Sequence, residues 1–173
     1  AHPAVIIRKE LIQKYQFKYD ENYKHSEDYE LWSRIIDHAK IANIPKVLLH
    51  YRMHPESASK KNSLEQTKNS DKVRLKLLNN LGIMPNLAEL DIHRRFIRPD
   101  YLDPKDFISQ LEIWFNKLLS ANEKTMIYEQ SSLAKVVSSR WLKACNANAS
   151  LGLWIIKKFC RSTLTQINYG NFG

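Results

Sequence analysis

Lys24-His25-Ser26-Glu27-Asp28-Tyr29-Glu30-Leu31-Trp32-Ser33-Arg34 reads as the start of a helix that carries two adjacent carboxylates. Ser26 has the side chain of an N-cap, a hydroxyl able to accept a bond from a free amide of the first turn. Glu27 and Asp28 then fall where the positive end of the helix dipole favours ionised acids. Leu31, Trp32, Ile35 and Ala39 follow at helical spacing and define a face to bury. Glu30 and Arg34, four apart, are expected to pair on the surface. Taken without its neighbours, the stretch is equally an ordinary capped helix whose acids serve only the dipole.

Working outward toward the N-terminus, Ala4-Val5-Ile6-Ile7 reads as a short buried strand and Lys9 to Tyr15 as a short helix. Phe17 to Tyr23 is a polar and aromatic loop with turn chemistry at Asp20, Glu21 and Asn22. On the other side, the helix is expected to run from Glu27 to His38. Two strands follow, Ile41 to Ile44 and, after Pro45, Val47 to Met53. Side chains alternate along a strand, which gives the second one an apolar face (Val47, Leu49, Tyr51, Met53) and a polar face of His50, Arg52 and His54. Such a face suits the wall of a polar site, and equally a half-exposed edge.

Composition shifts at Lys60-Lys61-Asn62-Ser63, and everything beyond reads as helix. One helix spans Leu64 to Leu81, amphipathic through Val73, Leu77 and Leu81, with Gly82 as C-cap. Pro85 and Asn86 open a second with Leu87, Leu90 and Phe96 inward. Asp103 caps a third, with Pro104 at its first position and Phe107, Leu111, Trp114 and Leu118 as its stripe. A fourth starts near Ser131 with Leu133, Val137, Trp141 and Ala144 inward. The last, Leu151 to Cys160, sets Leu153, Trp154, Ile155, Ile156 and Phe159 beside Lys157, Lys158 and Arg161. That helix either closes the core or lies on an anionic membrane surface through 151–161.

At 173 residues the chain suits one domain, or a domain with an appendage. Scarce Gly (4) and modest Pro (6) disfavour an all-β or low-complexity protein. No apolar run is long enough to cross a membrane, and Ala1-His2-Pro3 does not open a signal peptide. Cys145 and Cys160 make neither a disulfide framework nor a metal site, and read as reduced thiols. The net charge of +9 sits mostly in the second part: residues 1–60 hold 10 basic and 8 acidic side chains, residues 61–173 hold 17 and 10. That excess could attract nucleic acid, an anionic membrane or phosphorylated ligands. No nucleic-acid recognition motif or basic-aromatic interleaving accompanies it.

Three segments, in order, resemble the C-terminal half of the catalytic domain of a bacterial family 2 glycosyltransferase of the GT-A type. They are His2-Pro3-Ala4-Val5-Ile6-Ile7-Arg8-Lys9; His25 to Arg34, similar to a Glu-Asp-Tyr-x-Leu-Trp-x-Arg motif; and Tyr51-Arg52-Met53-His54-Pro55 with Ser57 and Ser59 behind it. The resemblance implies a fold that is mostly α with a small β portion. Residues 1–62 would be the acceptor-side portion of an α/β GT-A domain, and residues 63–173 a helical, bundle-like extension similar to those of capsule and exopolysaccharide enzymes. It implies inverting sugar transfer from a nucleotide-sugar to a saccharide or lipid-linked acceptor, with Asp28 as general base and Glu27 as its alternative. It further implies His54 at a divalent metal (Mn or Mg) or against the diphosphate, His2 at the acceptor, Arg52 near the phosphates, and a cytoplasmic location at the membrane face; His50, on the polar face of the second strand, is a further substrate-binding candidate. The family's nucleotide-binding half with its Asp-x-Asp motif has no counterpart among these residues. The chain alone is therefore expected to be inactive and metal-free. A non-catalytic module that docks a membrane, a lipid-linked saccharide or a partner subunit is the alternative.

Overall fold

In the computed structural model, residues 4–50, 52, 62–96 and 104–169 are described. The chain divides into two compact units, Ala1–Leu77 and Leu78–Gly173.

The first unit starts with α1 (Lys9–Tyr15), which ends where Gln16 turns left-handed (φ 51°) and returns its N–H to Ile12 O. Phe17 then folds inward and meets Leu31 and Ile35 of α2 (Glu27–Ile35), with Ile7, Leu11, Ile12, Trp32 and Ala39 packed around them. Between the helices a short 3-10 turn (Glu21–Tyr23) is capped by Asp20, whose carboxylate accepts the Asn22 N–H. α3 (Ser63–Asn80) begins in this unit and ends in the second. The spacing of Leu31 and Ile35 thus does bury one face of α2.

Three expectations for this unit are corrected. Residues 4–7, 41–44 and 47–50 form no strand, and no β-ladder occurs among the described residues. An alternating pattern selects faces but supplies no hydrogen bonds, and these segments meet no partner backbone. Ile7 packs on the Phe17 cluster, but the apolar side chains of 41–49 stay in solvent: Ile41, Ile44, Leu48 and Leu49 are exposed, and Val47 is 77% exposed. The Glu30–Arg34 pair is not on the surface, because Phe17 and the following loop close over it. The Glu30 side chain is only 6% exposed, Arg34 donates two bonds of 2.7 Å to its carboxylate, and a third reaches Lys18 O. Ser26, finally, makes no cap bond to the first turn. Its hydroxyl is buried and engaged elsewhere, as described below.

The second unit is a helical bundle built on α5 (Pro104–Thr125). Phe107, Ile108, Leu111, Trp114, Phe115, Leu118 and Leu119 line one side of it and are all buried. α4 (Leu87–Arg95) lies against α5 and starts with a capping box, in which Asn86 and Glu89 bond each other's backbone N–H. Leu90 and Ile92 are its buried residues, whereas Leu87, expected inward, is 85% exposed because the first turn of α4 faces solvent. α6 (Gln130–Ala147) returns along α5 and buries Val137, Ser138, Trp141, Ala144 and Cys145. Asn122, fully buried, closes the connection between them: its amide donates to Tyr128 O and Gln130 Oε1, and its carbonyl accepts the Tyr128 N–H.

α7 (Leu153–Arg161) follows a 3-10 turn (Ala149–Leu151) and is shorter than the expected Leu151–Cys160 run at its start. α8 (Thr163–Tyr169) had no counterpart in the sequence reading. It packs on α6 through Leu164, with the Ser138 hydroxyl donating to Leu164 O at 2.6 Å and the Trp141 indole to Thr165 Oγ1 at 3.2 Å. Gly82 ends α3 in the left-handed region (φ 74°), and Ile83 N–H returns to Leu78 O.

Candidate functional site

The carboxylates of Glu27 and Asp28 occupy the first turn of α2, and the residues just before them are clamped by α3. Asn69, buried, donates to Lys24 O at 2.9 Å; Gln66 donates to His25 O at 3.0 Å. The Ser26 hydroxyl, 2% exposed, donates to Gln66 O at 3.0 Å and shares a hydrogen bond of 2.9 Å with Ser70. His25 is held in the left-handed region (φ 64°), with its ring 3.6 Å from the Glu65 carboxylate. Buried carbonyls of a turn must find donors, and here side chains of one polar helix face supply them. The entry of α2 is therefore fixed from Lys24 to Ser26.

Within this frame the Asp28 carboxylate accepts the Tyr29 N–H at 2.7 Å, satisfying an amide that Ser26 leaves free. Glu27 differs: its Oε2 is buried and has no hydrogen-bond partner among the described residues. Unsatisfied buried oxygens are uncommon, and each calls for a specific explanation. Tyr29 is half-buried beneath the Arg74 guanidinium, which lies 5.9 Å from its ring centre and bonds Asp71 at 2.8 Å. Burial raises the Tyr29 hydroxyl above its ordinary value, with Arg74 opposing the shift and Asp71 adding to it. Behind the acids, the Glu30 carboxylate raises Arg34 further above its already high value.

His50 and Arg52 are exposed in irregular backbone. His2 and His54 lie outside the described residues. Among the described residues no three carboxylate, histidine or cysteine side chains cluster in a way that could hold a metal ion. No helix of the described residues is long and apolar enough to cross a membrane. The residues that sequence reasoning missed are Gln66, Asn69 and Ser70. Their signal was the polar face of α3 in the spacing 66, 69, 70, which reads as a solvated surface until its partner carbonyls are known.

Comparison with known proteins adds one relationship. The chain is similar to an uncharacterized glycosyltransferase of Haemophilus influenzae. The two are 28% identical over 168 residues, which cover 91% of this chain. The chain spans about half the length of that curated relative, 47%. The similarity therefore runs through the helical second unit as well as the first. No protein-family model matches the chain, and no solved structure matches it.

Proposed function

We propose that this chain is the acceptor-side part and helical extension of an inverting glycosyltransferase of the family 2, GT-A type, with Asp28 as its general base. In the reaction the acceptor hydroxyl oxygen attacks the anomeric carbon of a nucleotide-sugar. The bond from that carbon to the diphosphate oxygen breaks with its electron pair on the diphosphate, and the hydroxyl proton passes to the Asp28 carboxylate. The observation that carries the proposal is the clamped entry of α2, which fixes a carboxylate pair at a helix N-terminus through the Asn69, Gln66 and Ser26 hydrogen bonds. Rigid placement is what a general base requires, and the first turn of a helix is an electrostatically favourable place for a carboxylate. The relative named a glycosyltransferase supports the reaction class.

Glu27, with its unpartnered oxygen, is assigned to the acceptor, where a bound hydroxyl would complete its bonding. Arg52 is assigned to the donor phosphates, His50 to substrate binding, His2 to the acceptor and His54 to the divalent metal or the diphosphate of the longer enzyme. The acceptor is a saccharide or lipid-linked saccharide of capsule or exopolysaccharide type, and the work is done on the cytoplasmic side of the membrane.

The test is sugar transfer by protein expressed from the full reading frame. Asp28→Asn is expected to lower kcat by about 10²- to 10⁴-fold while leaving donor KM and the circular dichroism spectrum unchanged. Glu27→Gln is expected to act mainly on acceptor KM. An Asp28→Asn enzyme that transfers sugar at the normal rate refutes the assignment.

A further inference from the structure

α7 is attached to the bundle by one side only. Ile155 is buried, Trp154 and Phe159 are half-buried, and Lys158 is tied to Glu112 at 2.6 Å. The opposite side carries Leu153 (73% exposed) and Ile156 (57% exposed), with Lys157, Cys160 and Arg161 also in solvent. Positions 153, 156, 157 and 160 share one face of a helix. That solvent face thus has an aliphatic centre with cations at its edge, where a helix serving only its own core would carry polar groups.

The charge pattern around it is one-sided. From Gln130 to Gly173 the sequence holds six Lys and Arg residues and no Asp or Glu. Lys157 and Arg161 form no ion pair among the described residues. α6, which packs against α7, repeats the combination on its exposed side with Val136, Arg140 and Lys143. An acid-free basic segment repels cationic and attracts anionic surfaces.

We propose that the exposed face of α7 docks the protein on an anionic lipid bilayer, with Leu153 and Ile156 entering the headgroup region and Lys157 and Arg161 meeting lipid phosphates. A protein groove would need a continuous apolar row at 153, 156, 157 and 160, and Lys157 interrupts that row. A bilayer tolerates the interruption because the long side chain reaches back to the headgroups. This inference does not depend on sugar transfer, since vesicle binding requires no turnover.

The experiment uses the 173-residue chain with an environment-sensitive dye on Cys160, a readout on the docking face itself. Cys145 does not compete for the dye, because burial, with Glu112 adding to it, pushes its thiol up to about 12. Vesicles of phosphatidylcholine alone and of phosphatidylcholine with phosphatidylglycerol are compared at low and high salt. A blue shift and co-sedimentation with the anionic vesicles only, weakened by salt, are expected. Lys157→Gln and Arg161→Gln should each lower the partition coefficient about fivefold. Leu153→Ser and Ile156→Ser should each lower it about tenfold, all four with unchanged circular dichroism. Absence of binding, equal binding to neutral vesicles, or insensitivity to these substitutions overturns the proposal. So does a blue shift that needs no vesicles and grows with protein concentration, which would make a second copy the occupant.

Discussion

Arg34→Met tests whether the closed-over Glu30–Arg34 pair holds α2 in place. The substitution leaves Glu30, whose side chain is 6% exposed, without the two guanidinium bonds it accepts at 2.7 Å. Breaking a buried pair from the cationic side strands a charge that cannot reach water, at about 3–5 kcal/mol. The guanidinium also lies 5.7 Å from the centre of the Phe17 ring and donates to Lys18 O, and both contacts are lost with it. The reverse change is milder. Glu30→Gln leaves Arg34, 30% exposed, free to turn into solvent, so it should cost about 1–2 kcal/mol. Replacing both by apolar residues removes both desolvation penalties and should cost less than Arg34→Met alone. Urea unfolding followed by circular dichroism gives the three values, and amide exchange across residues 27–35 shows whether the loss is local to α2. The reasoning fails if Arg34→Met costs under about 1 kcal/mol, or if Glu30→Gln costs more than Arg34→Met.

Three further outcomes are expected. Asn122→Ala removes three hydrogen bonds at a fully buried position, two of them to the Tyr128 backbone, so it should destabilise the second unit by about 2–4 kcal/mol; thermal unfolding measures it. Gly82→Ala places a Cβ no nearer than 3.8 Å to Thr125 Cγ2, which leaves only the left-handed backbone to oppose it, about 1 kcal/mol; an unchanged melting temperature would refute that account. The Glu129 carboxyl, bonded to Ser132 and Ser131 at the start of α6, is held at about 2 against an ordinary 4.5. Because its folded value is depressed, the stability it contributes is present above the unfolded value and lost as pH falls through about 2. Carboxyl titration by NMR should show that midpoint, the Ser131 and Ser132 amides should lose exchange protection across the same window, and Glu129→Gln should abolish the pH dependence.

What the sequence disclosed followed from local chemistry. Helix starts marked by a capping residue or Pro, at Asn86 and Pro104, fall where they were expected, and Lys9–Tyr15 forms as its periodicity predicts. α8 was missed because Thr, Asn and Tyr form helices poorly on their own. It exists through tertiary contact, Leu164 being fully buried and bonded through its carbonyl to Ser138. A legible signal was there in Ser162, whose hydroxyl accepts the Leu164 N–H as an N-cap does. The strands failed for the opposite reason: alternation in residues 41–49 states which faces a sheet would use, not whether a partner is present. At the candidate site the acids of α2 were legible, while the clamp from α3 was not. Gln66 and Asn69, 41 and 45 positions away from their partners, bond main-chain carbonyls there, and no side-chain pattern encodes a carbonyl's need.

The uncovered aliphatic run between Ile41 and Leu49 sets how the chain behaves in crowded solution. Val47-Leu48-Leu49 is β-prone and free of glycine, the composition from which intermolecular cross-β contacts nucleate. Pro45 and Lys46 on one side, with Arg52 and Pro55 on the other, act as gatekeepers that cannot extend such a ladder or that repel a second copy. The net charge of +9 adds a long-range barrier of the same sign. That barrier shortens with ionic strength, to a Debye length of about 3 Å at 1 M salt. Colloidal stability of this chain is thus expected to be greatest in dilute buffer and to fall on salting, with the segment 41–49 as the place where self-association would begin.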